Sequence, residues 1–335
     1  YLFNTGQADA IDNYDIFAPE AWKDTNSSPK ITVAVIDTGI DYNHFDLDDN
    51  IWFNSGEIKN NNIDDDGNGY IDDYQGWDFY YQDNDPMDFY NHGTHVAGII
   101  GAEGNNSIGI AGVSWDVQLM NLKVFSDYAT ERGAKNVYEA IYYAADNGAD
   151  VINLSLGTNL GVLTDYIYPS ITFEDFKQNA PNWYKGYYES LKYASDKGIT
   201  IIAALGNESD NTEIYSSIPA DFSTEIPGMI SVAAINNQGD LSYYSNYGNI
   251  TSIASPGGAQ YKENDPNGIL STVINNEYKY LQGTSMSAPM VAGSAALILE
   301  KDPTLTPEEV KNIIISGGAT LKNLKNIVSD GRFLD

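Results

Sequence analysis

Apolar residues along the chain fall into short runs separated by longer polar stretches. Several of these runs are rich in Val, Ile and Ala, which is typical of strands buried on both faces of a parallel sheet. The predicted strands cover residues 31–36, 117–124, 150–155, 199–205, 230–235 and 250–254. Apolar residues at helical spacing predict helices that begin near positions 91, 134, 185, 285 and 306. The alternation of strands and helices predicts an α/β fold with a mainly parallel sheet.

Polar side chains stand where three of the predicted strands end. Asp37 follows the run 31–36, Ser155 ends the run 150–155, and Asn207 comes two residues after the run 199–205. Because open α/β sheets bind their ligands outside the carboxyl ends of the strands, this edge is the expected place for a functional site.

The stretch from Gly283 to Pro289 is a small-residue turn that opens an apolar helix reaching about Leu299. A glycine allows close approach of the backbone, and proline is well tolerated in a first helical turn. The helix N-terminus also favours nearby negative charge. Ser285 is therefore a candidate nucleophile, although a lone Ser before an apolar run is more often a helix cap.

Histidine is rare in this chain, which narrows the search for a general base. His44, His92 and His95 are the three histidines, and His92 lies at the mouth of a predicted helix. His95 follows one turn later and is expected to face the interior. Asp37, His92 and Ser285 supply an orienting carboxylate, a base and a nucleophile in the order used by subtilisin.

Charge and cysteine content limit the classes of partner. The chain of 335 residues has 47 acidic and 17 basic residues, a formal charge of −30, and no cysteine. Such acidity argues against nucleic acid and anionic membranes as partners and favours cations. No disulfide is possible, and no apolar run is long enough to span a bilayer. We expect one domain over residues 1–335, with 1–30 as an arm that docks through Phe17 and Trp22.

The region 41–90 is acidic and too long for an ordinary connection, which indicates an ion-binding insertion. Its centre has the spacing of a calcium loop, with alternate ligand positions pointing inward. These positions are Asp64, Asp66, Asn68, Tyr70 and Asp72. The twelfth position is Gln75 rather than Glu, and the flanks do not read as helices, so an EF-hand proper is not expected. A solvated acidic turn is the alternative.

A second acidic cluster follows in the same region. It comprises Asp78, Asp83, Asn84, Asp85 and Asp88. Its oxygens are consistent with either an ion site or a solvated loop, and the residue pattern leaves both open.

Four segments together resemble the signature motifs of the subtilisin-like serine proteases. They are VAVIDTGID around Asp37, NHGTHVAGI around His92, AALGNES around Asn207 and GTSMSAP around Ser285. The resemblance implies a three-layer fold with a central, mainly parallel sheet of about seven strands. It also implies a serine endopeptidase in which Ser285 attacks, His92 moves the proton and Asp37 orients His92. The Asn207 amide and the Ser285 N–H would bind the oxyanion.

The same resemblance implies substrate and calcium residues. Substrate backbone would pair with Ser155, Leu156 and Gly157, and these residues with Ala204, Leu205 and Gly206 would form the specificity pocket. One calcium site would use Asp46, Asn106, Ile108 and Ile110, and a thermitase-like site would use Asp78 and Asp85. With the 64–72 loop, this gives two to three Ca²⁺ ions. A secreted, monomeric protease that acts on peptides and proteins, and is matured with its own propeptide, is the expectation.

Two rival functions remain at this level. A metallohydrolase would use His92 and His95 with Asp37 or Asp46, but a zinc motif of the HExxH type spaces its histidines by four and places Glu between them. Here the spacing is three, and Gly and Thr intervene. The other rival is an inactive relative that binds peptides without cleaving them.

Overall fold

A computed structural model of the protein describes residues 1–2, 15–23, 30–128 and 133–335. In chain order its strands are β1 (Thr32–Asp37), β2 (Trp77–Asp78), β3 (Gln118–Lys123), β4 (Val151–Leu154), β5 (Thr158–Asn159), β6 (Thr200–Ala204), β7 (Ser217–Ile218), β8 (Ile230–Ile235), β9 (Ile253–Pro256), β10 (Ile269–Val273), β11 (Glu277–Leu281), β12 (Ala319–Thr320) and β13 (Arg332–Phe333). The helices are α1 (Ala18–Ala21), α2 (His92–Gly101), α3 (Val137–Asp146), α4 (Leu160–Leu163), α5 (Phe173–Asn179), α6 (Pro181–Asp196), α7 (Thr284–Lys301) and α8 (Pro307–Gly317).

Within the described residues, the central sheet has nine strands in the order β12-β13-β9-β8-β6-β4-β1-β3-β2. All neighbours are parallel except β12 and β13. The predicted strands correspond to β1, β3, β4, β6, β8 and β9, so the α/β fold with a mainly parallel sheet is confirmed. The additional strands at the edges, β2, β12 and β13, have two residues each. Such short strands carry too little sequence pattern to be recognised.

The sheet is covered by helices on both faces, which gives three layers. Side chains of β1 alternate between two cores: Ala34 and Ile36 pack with α3 and α6, whereas Val33 and Val35 pack with α2 and α7. Burial on both faces explains why β1 reads as a continuous apolar run instead of an alternating one.

Two peripheral segments, the described part of residues 1–30 and the stretch 158–184, pack on the outside of these three layers. Trp22 donates its indole N–H to the carbonyl of Val113 at 2.9 Å, while Ile16 and Ala18 are buried. Most of the expected 1–30 arm lies outside the described residues. The aromatic stretch 158–184 forms α4, α5 and the start of α6, and its rings pack around Phe222. Among the described residues, no helix combines the length and hydropathy needed to cross a membrane.

The strand order decides which polar residues meet. Because β6, β4 and β1 are successive neighbours and parallel, their carboxyl ends lie side by side. Asp37 ends β1, Ser155 follows β4, and Asn207 follows β6. The sheet thus brings these three residues to one edge, as expected from the sequence.

Candidate active site

Asp37 and His92 form the central contact of this edge. His92 Nδ1 lies 2.7 Å from Asp37 Oδ1, and the Asp37 side chain is fully buried while that of His92 is 28% exposed. Asp37 Oδ1 also accepts the N–H of Thr38 at 2.7 Å. A buried carboxylate on Nδ1 selects the tautomer in which Nε2 can accept a proton from the cleft.

A glycine permits helix α2 to lie this close to β1. A Cβ atom on Gly93 would stand 2.0 Å from the carbonyl oxygen of Gly39 and 3.2 Å from the Cβ of Asp37. The contact of 2.0 Å with a backbone atom is too short for any real structure, so a side chain at this position would push α2 away from β1. The glycine directly after His92 is therefore required by the Asp37–His92 contact.

Ser285 lies at the start of α7, after a backbone turn that only glycine makes easily. Gly283 has φ +146°, a region that residues with side chains rarely adopt. In this conformation the Ser285 hydroxyl donates to the carbonyl of Ser155 at 3.1 Å. The Ser155 hydroxyl in turn donates to the carbonyl of Ser285 at 2.9 Å. The two serines thus join the end of β4 to the start of α7.

Asn207 is oriented by the residue next to Ser285. Its Oδ1 accepts the backbone N–H of Thr284 at 2.8 Å and the Thr284 hydroxyl at 3.1 Å. With Oδ1 engaged in this way, the Nδ2 group is the part of the amide that remains to donate to a ligand. The backbone N–H of Ser285, in the first turn of α7, has no carbonyl partner within its helix.

These residues line one cleft of about 600 Å³. His92, Asn207 and Ser285 contribute to its wall, and so do most of the residues expected to contact substrate, namely Ser155, Leu156, Gly157, Ala204 and Gly206. Leu205 does not line it, because its side chain is fully buried in the core on the α3 and α6 side of the sheet. Along a buried strand alternate side chains face opposite layers, so Ala204 and Leu205 separate.

A second cavity of about 840 Å³ continues from this cleft. The two share these lining residues: Phe125, Gly133, Leu156, Gly157, Thr158, Asn159 and Glu208. In the rest of its lining, apolar and aromatic side chains from α3, α4 and α6 accompany the polar Asn136 and Glu139; they are Val137, Tyr138, Val162, Leu163, Trp183 and Tyr187. The concave surface is therefore long enough for several residues of an extended chain.

Comparison with known proteins decides the family. Residues 28–329 match the model of the subtilase family. The chain belongs to the subtilase family. It is 33% identical over 327 residues to subtilisin-like protease 1 of Plasmodium berghei, covering 93% of this chain and 49% of the relative. It is 36% identical to a thermophilic serine proteinase of a Bacillus species, covering 83% of this chain and 54% of that protein.

A solved structure supports the same placement. A protease from Pseudoalteromonas arctica is 31% identical and superimposes with a TM-score of 0.67, covering 94% of this chain and 89% of that one. The subtilase chain described here spans about half the length of the Plasmodium and Bacillus relatives.

The environment of His92 in this subtilase raises its proton affinity. Burial lowers the pKa of His92, but the negative charge of Asp37, its hydrogen bond and the charge of Asp88 outweigh burial. The pKa of His92 is therefore raised above the ordinary value of 6.5. His95 differs, because burial lowers its pKa to about 3 and its Nε2 faces the carbonyls of Ile269 and Lys279 at 3.0 Å. His95 thus packs internally, as expected, and does not join His92 in a metal site.

The acidic insertion of the subtilase gathers carboxylates, but only partly those expected from the sequence. Among the described residues, Glu57, Asp66 and Asp73 each offer a carboxylate oxygen, all within 4.8 Å of one another. Glu57 is 6% exposed, and its Oε2 is buried without a hydrogen-bond partner. Asp73 is fully buried and accepts from Asn54, Asn68 and Tyr143.

The other expected loop ligands bond within the loop. Asp64 accepts the N–H groups of Gly67, Asn68 and Gly69, and the Asn68 Oδ1 accepts the N–H of Tyr70. Asp72 faces away, because its two oxygens accept the N–H groups of Asn61 and Asn62. The neighbouring Asp73 takes the inward position, a one-residue shift in register, while Glu57 precedes the loop and had no motif to indicate it.

The residues of the second expected calcium site lie together beyond the C-terminal end of α2. Asp46 accepts hydrogen bonds from the Asn106 amide at 3.1 Å, the Ile110 N–H at 2.9 Å and the Tyr278 hydroxyl at 3.2 Å. The N–H of Ile108 donates to Asn106 Oδ1 at 2.9 Å. A cation at Asp46 would share the carboxylate with these three donors.

Asp78 and Asp85, the thermitase-like pair, have separate partners. Asp78 is buried and accepts the N–H groups of Tyr80 and Tyr81, and burial raises its pKa to about 6. Asp85 is exposed and accepts the Tyr42 hydroxyl at 2.8 Å. Asp88, from the same cluster, is committed to the first turn of α2.

Proposed function

We propose that the chain is the peptidase domain of a serine endopeptidase that uses Asp37, His92 and Ser285 as its triad. The observation that carries this proposal is the 2.7 Å contact between His92 Nδ1 and a buried Asp37, at a cleft that Ser285 and Asn207 also line. Membership of the subtilase family supports the same reading.

In the proposed mechanism, rotation of the Ser285 side chain brings its hydroxyl to Nε2 of His92. His92 takes the proton as Ser285 attacks the scissile carbonyl, and Asp37 stabilises the imidazolium that forms. Asn207 Nδ2 and the Ser285 N–H donate to the oxyanion. His92 then gives this proton to the leaving amine as the C–N bond breaks, which leaves an acyl group esterified to Ser285. Water, deprotonated by His92, attacks this ester, and the proton returns from His92 to the Ser285 oxygen as the acid leaves.

Substrate binding follows from the extended cleft. Substrate backbone would lie along Ser155, Leu156 and Gly157 by strand addition. The adjoining cavity, with Tyr138 and Trp183, would take an apolar side chain upstream of the cleaved bond. The negative charge of the chain favours peptides that are not strongly acidic.

The test labels the nucleophile directly. A fluorophosphonate probe followed by peptide mapping should place the adduct on Ser285, and Ser285→Ala should neither label nor cleave a casein substrate. An adduct elsewhere, or residual turnover in Ser285→Ala equal to the wild type, would exclude the proposed triad. Binding of peptide without cleavage by the wild type would instead indicate an inactive relative.

We also propose that calcium stabilises the insertion, at a site built from Glu57, Asp66 and Asp73. The buried, unpartnered Oε2 of Glu57 fits a hard cation with oxygen ligands, and one Ca²⁺ would offset two of the three negative charges of these close carboxylates. Calcium sites at Asp46 and near Asp78 remain proposals taken from the family. Secretion into calcium-rich surroundings, a monomeric state and maturation with a propeptide are proposed on the same basis.

A further inference from the structure

Asp88 stands four residues before His92 and is 2% exposed. It receives five hydrogen bonds. Oδ1 accepts from the Thr38 hydroxyl at 3.0 Å and from the N–H groups of Tyr90 at 2.7 Å and Asn91 at 3.1 Å. Oδ2 accepts from the Thr94 N–H at 3.0 Å and the Thr94 hydroxyl at 2.7 Å. One carboxylate thus joins the end of β1 to the first turn of α2.

The partners also favour the ionised form of this carboxylate. The Thr38 hydroxyl accepts the N–H of Gly93 at 2.8 Å, and the Thr94 hydroxyl accepts the N–H of Asp41 at 2.9 Å. Each hydroxyl therefore has its proton left for Asp88. Both oxygens of Asp88 face donors only, which is the arrangement that an ionised carboxylate needs. Burial raises the pKa of Asp88 above its ordinary value, and the hydrogen bonds from Tyr90 and Thr94 act against that rise.

The two threonines are neighbours of the proposed triad. Thr38 follows Asp37 in the chain, and Thr94 lies two residues after His92 on α2. Because one carboxylate binds both threonines, it determines the separation of β1 and α2. It thereby determines the 2.7 Å contact of His92 with Asp37. The charge of Asp88 also adds to that of Asp37 in favouring protonated His92, whereas His95 is neutral over the working pH range.

We propose that Asp88 is a positioning residue of the active site, which holds helix α2 against the end of β1 so that His92 meets Asp37. This inference rests on the proposed triad. It assigns a structural role within the active site to a residue of the second acidic cluster, in place of an ion ligand. It also accounts for the threonines within the two motifs DTG and HGTH.

The test separates charge from geometry. Asp88→Asn should lower kcat/KM roughly ten- to a hundredfold, since small misplacements of catalytic groups cost that much. It should also move the acid limb of the pH profile to lower pH, because removing a negative charge lowers the pKa of His92. Thr94→Val should lower kcat but shift the acid limb of the pH profile less than Asp88→Asn does. Thr94→Ser keeps the hydroxyl and should therefore have a kcat close to that of the wild type.

A matched control is available at the other end of β1. Asp150 is half-buried and accepts the N–H of Thr32, the first residue of β1, at 2.8 Å. Asp150→Asn therefore also removes a carboxylate bonded to β1, but at the end of the strand away from Asp37 and His92. It should leave the pH profile unchanged. The proposal would be overturned if Asp88→Asn had the kcat/KM of the wild type and an acid limb at the wild-type pH. If Asp88→Asn does not fold, equal kcat in Thr94→Val and Thr94→Ser would overturn it instead. Ser285→Ala, assayed alongside, tests the triad separately.

Discussion

The Oδ1 atom of Asn207 accepts the backbone N–H of Thr284, the residue immediately before Ser285, at 2.8 Å. This bond spans 77 positions of sequence and ties the end of β6 to the start of α7. It fixes the amide so that Nδ2 is available beside the candidate nucleophile. The proposed oxyanion donor and the nucleophile are therefore positioned by one contact.

Asn207→Leu should lower kcat by about 10²- to 10³-fold with little change in KM, because the lost hydrogen bond forms mainly in the transition state. That magnitude was measured in subtilisin, a member of the same family, and is applied here by analogy. Steady-state kinetics on a peptide anilide are the check. A loss confined to KM would mean that Asn207 binds ground-state substrate instead.

The pH profile of kcat/KM should have an acid limb with a midpoint above 6.5, since the pKa of His92 is raised above that value. His92 must be neutral to accept a proton, so activity is lost as the pH falls through its pKa. The value of kcat/KM, measured at substrate concentrations well below KM, reports the pKa of His92 in the free enzyme. A midpoint below 6.5 would show that burial outweighs the two carboxylates.

Gly93→Ala should destabilise the protein by about 1–3 kcal/mol or more, as overpacking of a tight contact does. It should also lower kcat, because the new methyl group would separate α2 from Gly39 and Asp37. Urea unfolding and kinetics measure the two effects. Gly317→Ala serves as the control, since a Cβ there meets nothing within 4 Å. Equal stability of the two variants would contradict the steric argument.

Asp221 should make stability depend on pH in an unusual direction. It is 1% exposed, and burial raises its pKa to about 7, against bonds from Ser216 and Ser217 that lower it. The folded state then binds more protons than the unfolded state between the ordinary 3.8 and about 7, so stability falls as pH rises through that range. Asp221→Asn should therefore gain Tm over the wild type as the pH increases. A constant Tm difference across this range would refute the assignment.

Glu57→Gln should reduce the rise in Tm that calcium produces, by the part that this site contributes, while leaving turnover nearly unchanged. The change removes one charge from the cluster with Asp66 and Asp73, which weakens binding of a hard cation. The measurement is the Tm by calorimetry at increasing calcium concentrations, and the Tm in the presence of a chelator gives the calcium-free value. Glu213→Gln, an exposed control, should behave like the wild type. A calcium response equal in both variants would remove Glu57 from the site.

Much of the fold could be predicted because burial leaves a local record. β1 and β6 are buried on both faces and read as continuous apolar runs. β11 is only partly buried and its sequence EYKYL carries charged residues, so it leaves no such run. The family resemblance predicts Leu205 in the pocket wall with Ala204 and Gly206, but the phase of the strand turns its side chain into the core.

The sequence by itself determined the kinds of residue at the candidate site and their order: Asp37, His92, Asn207 and Ser285 stand in motifs that need no contact map to be seen. Only the tertiary structure decided which other groups serve them. Asp88 meets Thr38 across 50 positions, and Glu57 meets Asp73 through a fold of the acidic loop. The reason is physical: local pattern sets the type and phase of a side chain, whereas strand order and the packing of helices on the sheet set its neighbours.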